Sequence, residues 1–406
     1  MKNLLIAQSG GPTAAINATL AGVLKGASLC DKVDKVYGAK NGIEGVMKGQ
    51  LIDLEDIRKD TDLLHTLMHT PSSALGTCRY KLKKWDEYEQ PYQRIVDIFY
   101  QYNIKYFIYI GGNDSMDTVY KLSEYCKLKN HDFIIVGAPK TIDNDLALTD
   151  HCPGFGSAAK YIATTISELA CDIGAYDMPA VTIVEIMGRN AGWLTGSAAL
   201  ARMNGGSGAD LIYLCEKDFD TEQFINDVNE KMKHKPGILV AISEGIKNSE
   251  GVYISDQVSS GSVDNFGHKY IAGAARVLEQ LIRNRIGCKV RSIELNLMQR
   301  ASSHIASETD IKESVMLGQK ALLCALDHKT GKMAAIKRKS DSPYRLEYIS
   351  VPVSEVANKE KKVPVNWISS SGNDITEEFL AYLKPLVKGQ TGIKYKNGIP
   401  MHIKLY

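Results

Sequence analysis

Two short runs hold most of the side chains in this chain that could do chemistry, Ile110-Gly111-Gly112-Asn113-Asp114-Ser115 and Pro139-Lys140-Thr141-Ile142-Asp143-Asn144-Asp145. Turns use Asn and Asp freely, but from Lys140 to Asp145 two acids, an amide and a cation exceed what a turn requires. Transfer of a phosphoryl group to a hydroxyl needs a base beside that hydroxyl, cations over the phosphate oxygens and an in-line geometry. Asp143 or Asp145 offers the base, and Lys140 a cation to screen phosphate charge. In the other run, paired glycines allow close approach of a ligand to the backbone. Asn113 and Asp114 fit either a ligand site or a plain helix cap. Ser9-Gly10-Gly11-Pro12-Thr13 poses the same choice between a phosphate cradle at a helix start and a tight strand–helix turn. Together these segments imply a phosphate-handling site with its own carboxylate base.

Both key runs follow apolar, strand-like stretches, at 106–110 and 133–138. Further strand-like segments at 4–8, 36–39, 181–186 and 238–242 alternate with helix-like ones at 14–27, 92–102, 116–127, 155–169, 192–202 and 270–283. Strands separated by helices of this length imply βαβ units, a parallel sheet and an α/β fold class. In such sheets ligands bind at the carboxyl ends of the strands. Met187-Gly188-Arg189 follows the stretch at 181–186, and Glu244 follows the one at 238–242. A lone Arg or Glu in such a place is more often a surface ion pair, but the same arrangement at four strand ends favours a shared site.

After Gly331 the pattern changes. A strand-like piece at 344–353 sits among the charged runs Lys337-Arg338-Lys339 and Lys359-Glu360-Lys361-Lys362, which read as a solvated surface. The expected organisation is therefore a first domain over 1–150, a second over 151–330 and a peripheral extension over 331–406.

The 406 residues can bury a large core. A formal net charge of +2 gives no reason to expect nucleic acid or an anionic membrane as partner. Eight scattered cysteines with no C-x-x-C fit reduced, structural thiols. The apolar run at 4–7 is too short for a signal peptide or a membrane span. The expected location is the cytoplasm.

Two other patterns carry no chemistry. Gly154-Phe155-Gly156-Ser157-Ala158-Ala159 matches a dinucleotide fingerprint, but no strand precedes it. His65 and His69 have helical spacing without the intervening Glu or third ligand of a zinc site.

Taken in order, the motifs resemble the phosphofructokinase family over roughly the first 330 residues. They are Ser9-Gly10-Gly11, Asn41-Gly42-Ile43-Glu44-Gly45, Leu75-Gly76-Thr77-Cys78-Arg79, the two key loops, Met187-Gly188-Arg189, Glu244 and Met298-Gln299-Arg300. The resemblance implies two similar Rossmann-like α/β domains with mostly parallel sheets and the active site in the cleft between them, the first domain binding the phosphoryl donor and the second the sugar phosphate. It implies that Asp143 takes the proton from the C1 hydroxyl of fructose 6-phosphate and that Thr141 contacts the same sugar. Met187, Gly188, Arg189 and Glu244 would line the sugar pocket, with Arg291 and Arg300 on the 6-phosphate. Gly11 and Arg79 would face the donor, and Mg²⁺ would bridge donor oxygens near Asn113 and Asp145. A homodimer or homotetramer is the implied assembly.

Donor choice is the sharper expectation. ATP-using members of the family resemble G-G-D-G-S and P-G-T-I-D-N-D at the key loops, whereas this chain has Asp114 and Lys140 in place of a glycine in each. That pair is similar to the pyrophosphate-dependent branch. A carboxylate where the α-phosphate of ATP would lie costs roughly 4 kcal/mol at about 4 Å and an effective dielectric near 20, about a thousandfold in affinity. Lys140 adds a positive charge that compact pyrophosphate can use. The expectation is a reversible, pyrophosphate-dependent 6-phosphofructokinase. The rivals are an ATP-dependent enzyme tolerating Asp114 and a non-catalytic regulatory subunit that binds sugar phosphate, with a dehydrogenase a distant third. Three positions depart from the family pattern: Asn113 for a metal-associated Asp, Leu297 for a sugar-contacting His or Tyr, and Ala180 for an Arg that reaches a neighbouring subunit's ligand.

Overall fold

Leu4 and Ile6 of the first strand, β1 (Lys2–Gln8), pack into one hydrophobic cluster, while Leu5 and Ala7 pack into another. A strand presents alternate residues to opposite faces, so both faces of the sheet are covered, and an uninterrupted apolar run is the expected sequence signature. The computed structural model describes residues 2–257 and 273–406. The chain forms two compact units. One comprises Met1–Ser157, Arg300–Glu360 and Lys388–Tyr406, and the other Ala158–Gln299 and Lys361–Val387.

In the first unit β1 is joined by β2 (Val33–Ala39), β3 (Leu51–Asp53), β4 (Ile104–Gly111) and β5 (Ile134–Pro139). Strands β5, β4, β1 and β2 lie side by side in parallel, and β3 closes one edge antiparallel to β2. The helices Ile16–Ser28 and Glu308–Leu326 bury Leu20, Val23, Leu317 and Ala321 on one face. On the other face the helix Asn113–Leu128 buries Met116, Val119 and Leu122.

The second unit holds a four-stranded parallel sheet of β6 (Ala180–Ile186), β7 (Leu211–Tyr213), β8 (Gly237–Ser243) and β9 (Lys289–Glu294) in the order β7-β8-β6-β9. Val181, Ile183, Val240 and Ile242 pack with Leu278 and Ile282 of the helix Ala274–Arg285. The start of the helix expected at 270–283 lies outside the described residues. The helix expected at 192–202 is one α turn, Trp193–Gly196, continued as a 3₁₀ segment, Ser197–Gly205. It breaks where Asn204 takes a φ of 58° beside Gly205 and Gly206. The α/β class with mostly parallel sheets is as expected, and among the described residues no helix is long and apolar enough to cross a membrane.

The residues after Gly331 differ from the expected extension, because they divide between the two units. Strand β10 (Lys332–Asp341) pairs in parallel with β5, through Lys332 with Val136 and Met333 with Gly137, and β11 (Tyr344–Pro352) adds antiparallel to β10. Met333, Ala334, Ala335 and Ile336 are buried. This short apolar run is enough to enter the core although charged neighbours dominate the composition.

That hairpin also closes a buried polar network. His151 lies between Asp150 Oδ1, 2.7 Å from its Nδ1, and Glu313 Oε2, 2.6 Å from its Nε2. Arg338 donates to Asp150 at 2.9 Å and the Tyr344 hydroxyl to Glu313 at 2.9 Å. Burial alone would lower the His151 pKa, but Glu313 and Asp150 outweigh it and push the imidazole up to about 8. A histidine whose folded pKa exceeds its unfolded value stabilises fully below about pH 6.5, and that contribution disappears as pH rises through about 8. The shift corresponds to about 2 kcal/mol. Equilibrium denaturation should therefore find that the stability gap between the wild type and His151→Gln shrinks by about 2 kcal/mol from pH 6 to pH 9. A gap independent of pH would mean that the imidazole binds its proton no more tightly in the folded chain than in the unfolded one, and a gap that widens would mean that it is buried neutral.

Candidate active site

Strands β5, β4 and β1 are parallel neighbours, so the loops at their carboxyl ends are neighbours too. The Ser9 N–H donates to the Ile110 carbonyl at 2.9 Å and the Lys140 N–H to the Gly111 carbonyl at 2.9 Å. These bonds continue the sheet's register past the strand ends. The loop carrying Arg79 is tied in by the Thr77 hydroxyl, which donates to the Gly10 carbonyl at 2.7 Å, and by the Leu75 N–H, which donates to Gln8 Oε1 at 3.0 Å.

Lys140 is buried, and its Nζ donates to the Gly11 carbonyl at 2.6 Å. Gly10 holds a φ of +78°, a conformation costly for other residues. A Cβ on Gly10 would lie 3.2 Å from Lys140 Nζ, and one on Gly11 would lie 2.9 Å from Arg300 Nη1. The missing side chains thus make room for two cations. Burial, and then the repulsion of Arg300, depress the Lys140 pKa to about 8 against the opposing pull of Asp143 and Asp145. Burial and Arg79 likewise lower that of Arg300, against Asp143. Three cations, Lys140, Arg300 and Arg79, crowded beside the carboxylates of Asp143 and Asp145 form a cradle whose internal repulsion a polyanion relieves.

The acidic loop is shaped by its own polar groups. The Asp143 N–H donates to Thr141 Oγ1 at 3.1 Å, and the Thr141 N–H to the Pro153 carbonyl at 3.2 Å. Asn144 is buried with a φ of 53°, and its Oδ1 accepts from the Cys152 N–H at 3.0 Å. Asp143 and Asp145 both favour the charge of Lys140, and Asp143 favours that of Arg300 as well. Burial, Asp143 and Glu360 all raise the Asp145 pKa. Asp145 Oδ1 is shielded from solvent and has no hydrogen-bond partner.

That unpartnered carboxylate oxygen bears on the expected Mg²⁺. Among the described residues no group of three or more His, Cys, Asp or Glu could hold a metal by itself. Magnesium bound through one or two carboxylates, with water and phosphate oxygens completing its shell, needs no such group. Asp145 fits that role. Asn113, the other residue expected beside the metal, has both ends of its amide engaged by the chain at 358–359, at 2.7 and 2.6 Å.

Asp114 stands in the first turn of the helix Asn113–Leu128, where the helix dipole favours negative charge. Its Oδ1 lies 3.8 Å from Lys81 Nζ. Gly112 precedes the helix, and a Cβ there would lie 3.5 Å from the Lys140 carbonyl oxygen, so the Asp114 and Lys140 segments adjoin.

In the second unit Met187, Gly188 and Arg189 follow β6, and Glu244 follows its parallel neighbour β8. The Gly188 N–H donates to Glu244 Oε1 at 3.3 Å, and the Met187 N–H to Gln299 Oε1 at 3.2 Å. Gly188 has a φ of +132°, and a Cβ there would meet the Ala191 carbonyl oxygen at 2.4 Å. Arg189 Nε is buried without a partner. These four expected residues are brought together. Arg291 is exposed on the edge strand β9 and pairs in register with Thr182, about 17 Å of strand before Met187. It is not part of that group, and lies with half-buried Ala180 along a pocket beside Tyr176 and Met178. Leu297 is exposed.

Sequence reasoning missed Asn358, Lys359 and Glu360, which run beside the acidic loop through a backbone bridge from Glu360 to Leu146. Nothing in their spacing could have found them, because the contact spans more than two hundred residues of chain.

Residues 3–325 match the family described as Phosphofructokinase. The chain is 40% identical over 407 residues to a pyrophosphate–fructose 6-phosphate 1-phosphotransferase of Methylococcus capsulatus, covering 100% of this chain and 96% of that protein. It is 39% identical over 406 residues to one of Halomonas elongata, covering 99% and 96%. A crystal structure of a pyrophosphate-dependent phosphofructokinase from Nitrosospira multiformis matches with a TM-score of 0.89 at 34% identity, over 99% of this chain and 96% of that one. With the order of its motifs, its two mostly parallel sheets and these full-length relatives in agreement, the chain belongs to the phosphofructokinase family.

Proposed function

We propose that this protein transfers a phosphoryl group from pyrophosphate to the C1 hydroxyl of fructose 6-phosphate, giving fructose 1,6-bisphosphate and phosphate in a reversible reaction. The observation that carries this reading is that the Lys140 loop adjoins the start of the helix that bears Asp114, both positions being ones where a nucleotide-using site needs glycines. Full-length relatives bearing that activity in their names support it.

The first unit is the donor half. Gly11, Arg79 and Lys140 receive pyrophosphate, and Arg300 adds charge to the same cradle as well as serving the sugar's 6-phosphate. Asp143 accepts the proton of the C1 hydroxyl as its oxygen bonds to the incoming phosphorus, and the bridging P–O bond breaks to leave phosphate. Thr141 fixes the loop and contacts the sugar. The second unit is the sugar half, with Met187, Gly188, Arg189 and Glu244 lining the pocket and the unpartnered Arg189 Nε available to an acceptor on the ligand. Asp145 would hold Mg²⁺, which would offset donor charge. Arg291 lies apart from this pocket in its own chain, so it would serve the 6-phosphate bound by a neighbouring subunit of a cytoplasmic homodimer or homotetramer.

Initial rates of phosphate release with each donor test the proposal. Turnover with pyrophosphate should exceed that with ATP, and the reverse would overturn the donor assignment. Asp143→Asn should lose at least about a hundredfold in kcat, the lower end of general-base effects, and near-normal turnover would move the base elsewhere. Lys140 binds pyrophosphate as a cation, so kcat/KM for the donor should fall as pH rises through about 8. Lys140→Arg stays charged and should flatten that limb. If both proteins show the same limb, another group is titrating.

A further inference from the structure

Asn113 occupies a place where a metal-associated carboxylate was expected, and its surroundings suit an amide. Its Nδ2 donates to the Lys359 carbonyl at 2.7 Å, and its Oδ1 accepts from the Asn358 N–H at 2.6 Å. One partner is an acceptor and the other a donor, so whichever way the amide is turned, only a side chain carrying both functions satisfies them. A carboxylate would face the Lys359 carbonyl oxygen without a proton to share.

The residues so held run beside the acidic loop. The Asn358 side chain donates to Asp117 Oδ1 at 2.9 Å, anchoring the segment to the same helix one turn on. Just before it, Val356 and Ala357 are buried in the core cluster that includes Leu146. Just after it, Glu360 forms an antiparallel bridge with Leu146, the residue that follows Asp145. Thus a short stretch of chain is pinned on one side to the Asp114-bearing helix and on the other to the loop with Asp143 and Asp145.

We infer that Asn113 is a positioning residue: its amide clamps residues 358–360 against the acidic loop and so holds Asp143 and Asp145 in place for phosphoryl transfer. The chemical role in that statement rests on the proposed function, whereas the clamp itself does not. It also accounts for the charged run Lys359-Glu360-Lys361-Lys362, whose backbone does the work while its side chains of 359 and 360 remain exposed.

The variant Asn113→Asp separates a clamp from a metal ligand, because the two ideas predict opposite results. As a ligand, a carboxylate should lower the Mg²⁺ concentration needed for half-maximal rate and keep or raise kcat. As a clamp, it should speed amide hydrogen exchange at both 143–146 and 357–360. It should then lower kcat at least tenfold, with the KM of each substrate within threefold and the Mg²⁺ requirement within twofold. Unchanged exchange, or faster exchange with unchanged kcat, overturns the inference. Should the variant fail to fold, exchange in the wild type decides: the Asn358 amide must be protected, and one exchanging as freely as an unstructured amide also overturns it. The exchange readout stands whichever donor the enzyme uses.

Discussion

The buried ammonium of Lys140 reaches the Gly11 carbonyl at 2.6 Å and is crowded there by Arg300, and the rest of the site is arranged around that crowding. A lysine in such a place is costly, because burial and a like neighbour both disfavour its charge. Two features compensate. The carbonyl end of the glycine loop and the carboxylates of Asp143 and Asp145 supply negative charge from one side. The parallel sheet supplies rigidity from below, with β5, β4 and β1 in register to their last residues. A compact polyanion arriving at the cradle relieves the remaining repulsion.

The same constraint bears on donor size. The amino end of the helix Asn113–Leu128 is the natural seat for a further phosphate, but Asp114 already places a carboxylate in that first turn. On the proposed function, an extended nucleotide would bring its α-phosphate against that charge, whereas pyrophosphate would end sooner. Such discrimination needs no steric block, only like charges a few ångströms apart in a partly desolvated site. In the same proposal Lys140 would return some of the binding that the nucleotide's remaining groups would have provided.

How far this was legible in the sequence follows from the range of each interaction. Strands β4 and β5 and their loops were legible because strands buried on both faces read as continuous apolar runs. Lys140 and the acids were legible because their density exceeded what a turn needs. The short strands β3, β7 and β9 were not, since three residues, or an edge strand with alternating exposed charges, leave little pattern. The placement of β10 beside β5 depended on Met333 to Ile336, an apolar run too short to stand out among its charged neighbours. Asn113 could be read only as a cap or a ligand, because its partners lie 245 and 246 residues along the chain. The fingerprint-like glycines at 154 and 156 follow no strand. The Gly154 and Ser157 N–H groups are taken up by the buried carboxylate of Asp310, at 3.0 and 2.9 Å.

The central claim is that one carboxylate and one ammonium together fit this cradle to pyrophosphate. The most direct measurement is pyrophosphate-driven phosphate release by the double variant Asp114→Gly, Lys140→Gly, with its folding verified by circular dichroism. The account predicts a fall of at least a hundredfold, whether or not turnover with ATP emerges. Pyrophosphate turnover close to the wild-type rate would contradict it.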